Sequence, residues 1–69
     1  MSEQVKGVVK WFDDTKGFGF IALEQGGDVF VHYKSIHGTG RKTLAEGQRV
    51  SLTVMKAEKG PQAQDVEII

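Results

Sequence analysis

Hydrophobic period limits this chain more than any other feature. Apolar residues alternate with polar residues or glycine in short runs, and no window of eleven or more residues sustains the i, i+3, i+4, i+7, i+8, i+11 spacing of a helix. Alternation is the period of a strand, whose successive side chains point to opposite faces. The runs predict five strands, at residues 5–12, 17–23, 29–33, 49–55 and 62–68. Turn residues separate them: Asp13-Asp14, Gln25-Gly26-Gly27-Asp28, the stretch from Gly38 to Gly40, and Lys59-Gly60-Pro61. Thr43-Leu44-Ala45-Glu46 has the spacing of a capping box, but Gly47 follows at once and limits any helix there to a single turn. Five short strands in 69 residues predict an all-β fold, a small antiparallel barrel. With no repeat, no low-complexity segment and no linker, residues 1–69 read as a single domain.

Composition removes several classes of function. There is no cysteine, so disulfides and thiolate metal sites are excluded, and His32 and His37 are too few for a zinc site without carboxylate help. No metal and no cofactor is expected. The first nine residues lack the apolar stretch of a signal peptide, and nothing approaches the roughly 20 apolar residues of a membrane span. A soluble, cytoplasmic protein is expected. Lys and Arg balance Asp and Glu at 9 each, which argues against a simple polycationic binder. The distribution is less even: residues 29–45 carry Lys34, Arg41, Lys42 and both histidines without one acid. A basic binding stretch and a merely solvated loop explain that equally well.

Parity along the strands sorts the apolar residues into two sets. Ile21, Val29, Val31, Val50, Leu52 and Val54 share one face and suffice for a small core. Phe18, Phe20 and Phe30 point the other way, with His32 beside them; Tyr33 falls by parity with the valines, and Arg49, Ser51, Thr53 and Met55 fall outside. A chain this short has no second layer to cover a second apolar face, so the phenylalanines are expected to be substantially exposed and to mark a binding surface. Gly17 and Gly19, on the inner row opposite them, would let a strongly curved strand close over the core. Strict alternation places Trp11 with Val9, and whether a bulge turns it outward is left open. Lys10 and Lys16 flank the aromatics. Flat rings for bases and cations for phosphates are what sequence-tolerant binding of single strands requires.

Lys16-Gly17-Phe18-Gly19-Phe20-Ile21 matches the first six positions of the RNP1 pattern with isoleucine for valine, then departs at Leu23. With Lys10-Trp11-Phe12, Val29-Phe30-Val31-His32-Tyr33, Lys42-Thr43-Leu44-Ala45-Glu46-Gly47-Gln48 and Gly60-Pro61-Gln62-Ala63, the chain closely resembles the bacterial cold-shock proteins over residues 5–66. The resemblance implies a five-stranded antiparallel OB-fold barrel that binds single-stranded RNA and DNA across its second and third strands. It assigns ligand contact to Lys10, Trp11, Lys16, Phe18, Phe20, Phe30, His32 and Tyr33, with a turn contact from Asp28 and basic help from Lys59. It also implies that Trp11 faces the ligand. The implied partners are pyrimidine-rich strands, bound by a monomer, with a dimer as the alternative.

Four positions depart from the family pattern. Tyr33 replaces a phenylalanine and adds a hydroxyl. Arg41 replaces a loop aromatic, and its guanidinium either stacks on a base or meets phosphate. Asp13 and Asp14 replace a more neutral turn beside Trp11, where they are expected to repel phosphate or tilt the strand, and His37 replaces a glutamine. Two other functions compete. A peptide on the aromatic face would leave Trp11 emission insensitive to oligonucleotide. Catalysis by an acid–base pair of His32 and Asp28 lacks both a third group and a nucleophile, so the chain is not read as an enzyme.

Overall fold

Short strands with unpaired edges can satisfy those edges by closing on themselves. The computed structural model, which describes residues 4–37 and 43–69, shows that solution. Its strands are β1 (Gln4–Asp13), β2 (Phe18–Leu23), β3 (Asp28–His32), β4 (Arg49–Ala57) and β5 (Gly60–Ile68), with one 3₁₀ turn, Tyr33–Ser35, after β3. They form a closed barrel in the order β1-β2-β3-β5-β4. Four seams are antiparallel, as expected. The fifth, between β3 and β5, is parallel and has a single ladder pair, Phe30 opposite Gln62. A closed ring with an odd number of strands cannot alternate direction at every seam, so one parallel seam is obligatory.

Ile21, Val29, Val31, Val50 and Leu52 form the core as parity assigns, while Val54 is only half-buried at its edge. Val9, Ile36, Leu44, Ala63 and Val66 complete it. Two bulges explain why strand parity does not assign Val9, Ala63 and Val66 together. In β1, Val9 pairs with Ile21 and Trp11 pairs with Phe20, so Lys10 has no counterpart in β2. That extra residue reverses the alternation: Val9 points inward and Trp11 outward, although they share parity. In β5, the pairs Ser51–Glu67 and Thr53–Gln64 set three steps of β5 against two of β4. Asp65 takes up the extra step in the left-handed region at φ 51°, a conformation Asp tolerates better than most residues. Ala63 and Val66 thereby reach the same inner face from opposite parity.

Two other expectations need correction. Ser51 and Thr53 point outward yet are only 8% and 4% exposed. They are short side chains on a strand paired on both sides, where they lie between the longer Lys6 and Glu67 and between Gln4 and Gln64. Tyr33 does not continue β3; the chain turns into the 3₁₀ turn there, and the ring leaves the inner face. Thr43–Glu46 forms no helix: Leu44 enters the core, Ala45 N–H donates to Gln48 Oε1 at 3.1 Å, and Gly47 N–H donates to the Val9 carbonyl at 2.8 Å. Gln48 N–H donates to the Ala45 carbonyl at 3.1 Å, closing a single turn, and the segment docks on β1. The turn placed at Gly38 to Gly40 lies outside the described residues.

Gly19 marks the closest approach inside the barrel. A Cβ there would lie 2.2 Å from the Trp11 carbonyl oxygen and 2.7 Å from Phe12 Cα, backbone atoms that cannot rotate aside. Gly19→Ala should therefore cost about 1–3 kcal/mol or more, seen as a fall in melting temperature of at least about 4 °C for a domain of this size. Gly26→Ala meets nothing within 4 Å and carries only a backbone cost. Equal losses in the two variants would refute the steric account.

Candidate nucleic-acid interface

The bulge at Lys10 completes an aromatic surface on β1, β2 and β3. Once turned outward, Trp11 meets Phe18 at 5.8 Å between ring centroids with an interplanar angle of 70°, and Phe20 at 5.5 Å and 48°. Phe30 stacks on Phe18 at 5.7 Å and 29°, and meets Phe20 edge-on at 5.8 Å and 79°. The register explains the grouping, since Phe20 is directly opposite both Trp11 and Phe30. These four rings shield one another. Trp11 is 41% exposed, but Phe18, Phe20 and Phe30 are half-buried, which corrects the expectation of substantial exposure. Mutual contact replaces the missing second layer.

A second pair of rings lies at the end of β3. His32, opposite Phe18 in the register, has its centroid 4.6 Å from that of Tyr33. Tyr33 is 41% exposed, and its ring lies over Gly17, where a Cβ would approach Tyr33 Cδ1 to 2.7 Å. Gly17 is thus needed bare, at φ +78°, for the tyrosine to sit there. His32 Nδ1 accepts the Lys34 backbone N–H at 3.3 Å. In the neutral ring this leaves the proton on Nε2, which presents a donor outward.

Charges frame the rings. Lys10, lifted by the bulge, pairs with Asp28 at 3.0 Å, both side chains about half exposed. Lys16 and Lys59 are exposed and make no ion pair among the described residues. Asp13 and Asp14 have structural uses: Asp13 Oδ1 accepts from the N–H groups of Thr15 and Lys16 at 2.9 and 3.0 Å, and Asp14 accepts from the Thr43 hydroxyl. The first acid therefore organises the β1–β2 turn, and the second ties it to the segment before β4. Asp28 and His32, weighed above as an acid–base pair, each engage another group, Lys10 and the Lys34 N–H.

Beside the aromatics, a cleft of about 450 Å³ is lined by Phe20, Asp28, Phe30, Lys59, Gly60, Pro61 and Gln62. That size falls within the range of small-ligand clefts. Gln62, directly opposite Phe30, brings an amide to a wall of rings and is not among the ligand contacts assigned from the sequence. Only the parallel seam places it there, and no pattern local to β5 announces a neighbour in β3. Of the residues singled out, Lys10, Trp11, Lys16, Phe18, Phe20, Asp28, Phe30, His32, Tyr33 and Lys59 are described; Arg41 lies outside the described residues.

Comparison with known proteins places this surface in context. Residues 5–69 match the family described as "'Cold-shock' DNA-binding domain". The chain is 64% identical over 67 residues to a cold shock-like protein, CspA, of Vibrio cholerae, covering 96% of each chain. It is 55% identical over 69 residues to the major cold shock protein CspA of Pseudomonas aeruginosa, covering both chains completely. Cold shock protein CspB of Bacillus caldolyticus is 54% identical over 61 residues, 88% of this chain and 92% of that one. Among solved structures, one described as "drosophila Unr CSD456" superposes with a TM-score of 0.79 at 24% identity, over 97% of this chain and 27% of the other, and shares the fold.

The ring cluster predicts a measurable share of stability. Phe30→Ala removes two ring contacts, worth about 0.5–1.5 kcal/mol each, so urea unfolding should register a loss of about 1–3 kcal/mol. A phenylalanine in a sealed core would cost about 3–5 kcal/mol. A loss below about 0.5 kcal/mol would mean that the rings do not support one another.

Proposed function

Because the chain belongs to the cold-shock domain family, we propose that its nucleic-acid binding consists in holding single strands of RNA or DNA, with successive bases laid on Trp11, Phe18, Phe20, Phe30, His32 and Tyr33. The observation that carries this reading is the outward turn of Trp11 at the Lys10 bulge, which joins it to the three phenylalanines as one platform. Every base has a π-face, so such a platform is tolerant of sequence. Lys10, Lys16 and Lys59 meet the phosphates at its margins. Asp28 and Gln62 face the cleft beside Phe20 and Phe30, where hydrogen bonds to a base edge add to stacking.

Paired bases cannot splay onto rings, so the protein selects single strands over duplex. Pyrimidine-rich strands are preferred, because their bases unstack from one another more readily than purines do. Holding strands open in this way is the physical basis of an RNA chaperone, acting here as a cytoplasmic monomer. The reading assigns no catalysis, since Asp28 and His32 already have other partners, and RNA incubated with the pure protein should remain intact. No helix among the described residues is long and apolar enough to cross a membrane.

Titration of Trp11 fluorescence with oligo-dT, oligo-U and duplex of equal length tests the reading. Single strands should quench Trp11 and bind at least about tenfold more tightly than duplex. Equal affinities would overturn the stacking mechanism, and unchanged emission would point to a peptide as the occupant. With about three or four cations near the path, log K against log salt should have a slope near −2 to −3; a slope beyond about −5 would make binding mainly electrostatic. Alanine at Phe18, Phe20 or Phe30 should weaken binding by about 1–3 kcal/mol each, measured under conditions where the variant is folded.

A further inference from the structure

The parallel seam leaves a gap that the aromatic platform does not use. β3 and β5 meet at Phe30–Gln62 and again at the bridge Ile36–Val66. Between those points lie residues 31–35 on one side and 63–65 on the other, five against three, so the two segments cannot pair. The longer one bends out as the 3₁₀ turn. The result is a cleft of about 210 Å³ lined by Lys34, Ser35, His37, Gln64 and Asp65.

This cleft differs in chemistry from the platform. Among the described residues it has no aromatic ring but His37, and it combines an ammonium, a hydroxyl, a side-chain amide and a carboxylate. His37 Nε2 donates to Asp65 Oδ1 at 2.8 Å, and His37 N–H donates to the Val66 carbonyl at 2.8 Å, so the acidic wall is held in place. Glu67 Oε1 stands 3.6 Å from His37 Nδ1. The Lys34, Ser35 and Gln64 side chains have no protein partner among the described residues. Two carboxylates near one lysine disfavour a site for phosphate alone. Acceptors beside a single cation suit a group with hydroxyls to donate and one phosphate attached.

The cleft adjoins the platform along both segments that line it. Lys34 follows Tyr33 directly, and its N–H holds His32. On β5, Gln64 lies two residues beyond Gln62 on the same outward row, a step of roughly 6.5–7 Å. We propose that this cleft receives the ribose and phosphate of a nucleotide leaving the platform past Tyr33, so that a strand long enough to reach it binds better as RNA than as DNA. The 2′-hydroxyl donates to the Gln64 side-chain carbonyl oxygen and accepts from the Ser35 hydroxyl, while Lys34 meets the phosphate. A deoxyribose leaves those groups to water. The inference rests on the single-strand reading above.

Oligo-rU and oligo-dU of about four and about nine nucleotides, within the range of site sizes for such barrels, separate the two claims. With the shorter strands the sugar should make little difference. With the longer ones RNA should bind about fivefold more tightly, the size of one net hydrogen bond. Ser35→Ala combined with Gln64→Ala should erase that ratio and leave long DNA and both short strands unchanged. Lys34→Gln should weaken long RNA and long DNA by the same factor. Amide signals of the Gln64 side chain should shift on adding the long RNA and not the short. If long RNA and DNA bind equally, or if the double variant weakens both alike, the ribose contact is wrong while the platform stands. Failure of every strand to bind would remove the platform itself.

Discussion

One unpaired residue in β1 organises the binding face. Lys10 has no counterpart in β2, and that single insertion reverses the direction of every side chain after it. Val9 stays in the core, Trp11 joins the phenylalanines, and Phe12 returns to the inside against the bare Gly19. Without the bulge, strict alternation would send Trp11 inward and Phe12 outward. The same extra residue carries its own ammonium to the rim, where it reaches Asp28. Ring cluster, close strand approach and rim cation therefore share one cause.

The opposite side of the barrel repeats the device for another purpose. At Asp65 an extra step in β5 brings Ala63 and Val66 to the same inner face, and the obligatory parallel seam runs beside it. A seam with one ladder pair is open enough to leave clefts on either side of that pair. One cleft adjoins rings and the other contains only polar groups and an imidazole. A ring of five strands thus has a built-in discontinuity, and both clefts lie along it.

Net charge gives a poor picture of this surface. The acids near the binding face hold neighbouring groups: Asp13 holds the turn after β1, Asp14 receives the Thr43 hydroxyl, and Asp28 is paired with Lys10. Asp13 and Asp14, expected to repel phosphate or tilt the strand, also have a structural role in the turn. On the proposed stacking mechanism ring area counts for more than a field, and a formal charge of zero is compatible with it.

Alternation and turn chemistry, both local properties, were enough to place the five strands, the aliphatic core at Ile21, Val29, Val31, Val50 and Leu52, and the outward phenylalanines. The RNP1-like run from Lys16 to Ile21 was legible for the same reason, because all its residues lie on one strand or its turn. What parity could not settle was the orientation of Trp11, the inward reach of Val66, the burial of Ser51 and Thr53, and the place of Gln62 against Phe30. Each depends on what lies on a neighbouring strand: an unmatched residue, a covering side chain or a parallel partner distant in sequence. A period of two holds only while strands advance in step. Where one strand takes an extra residue, only the closed barrel decides which side chains face outward.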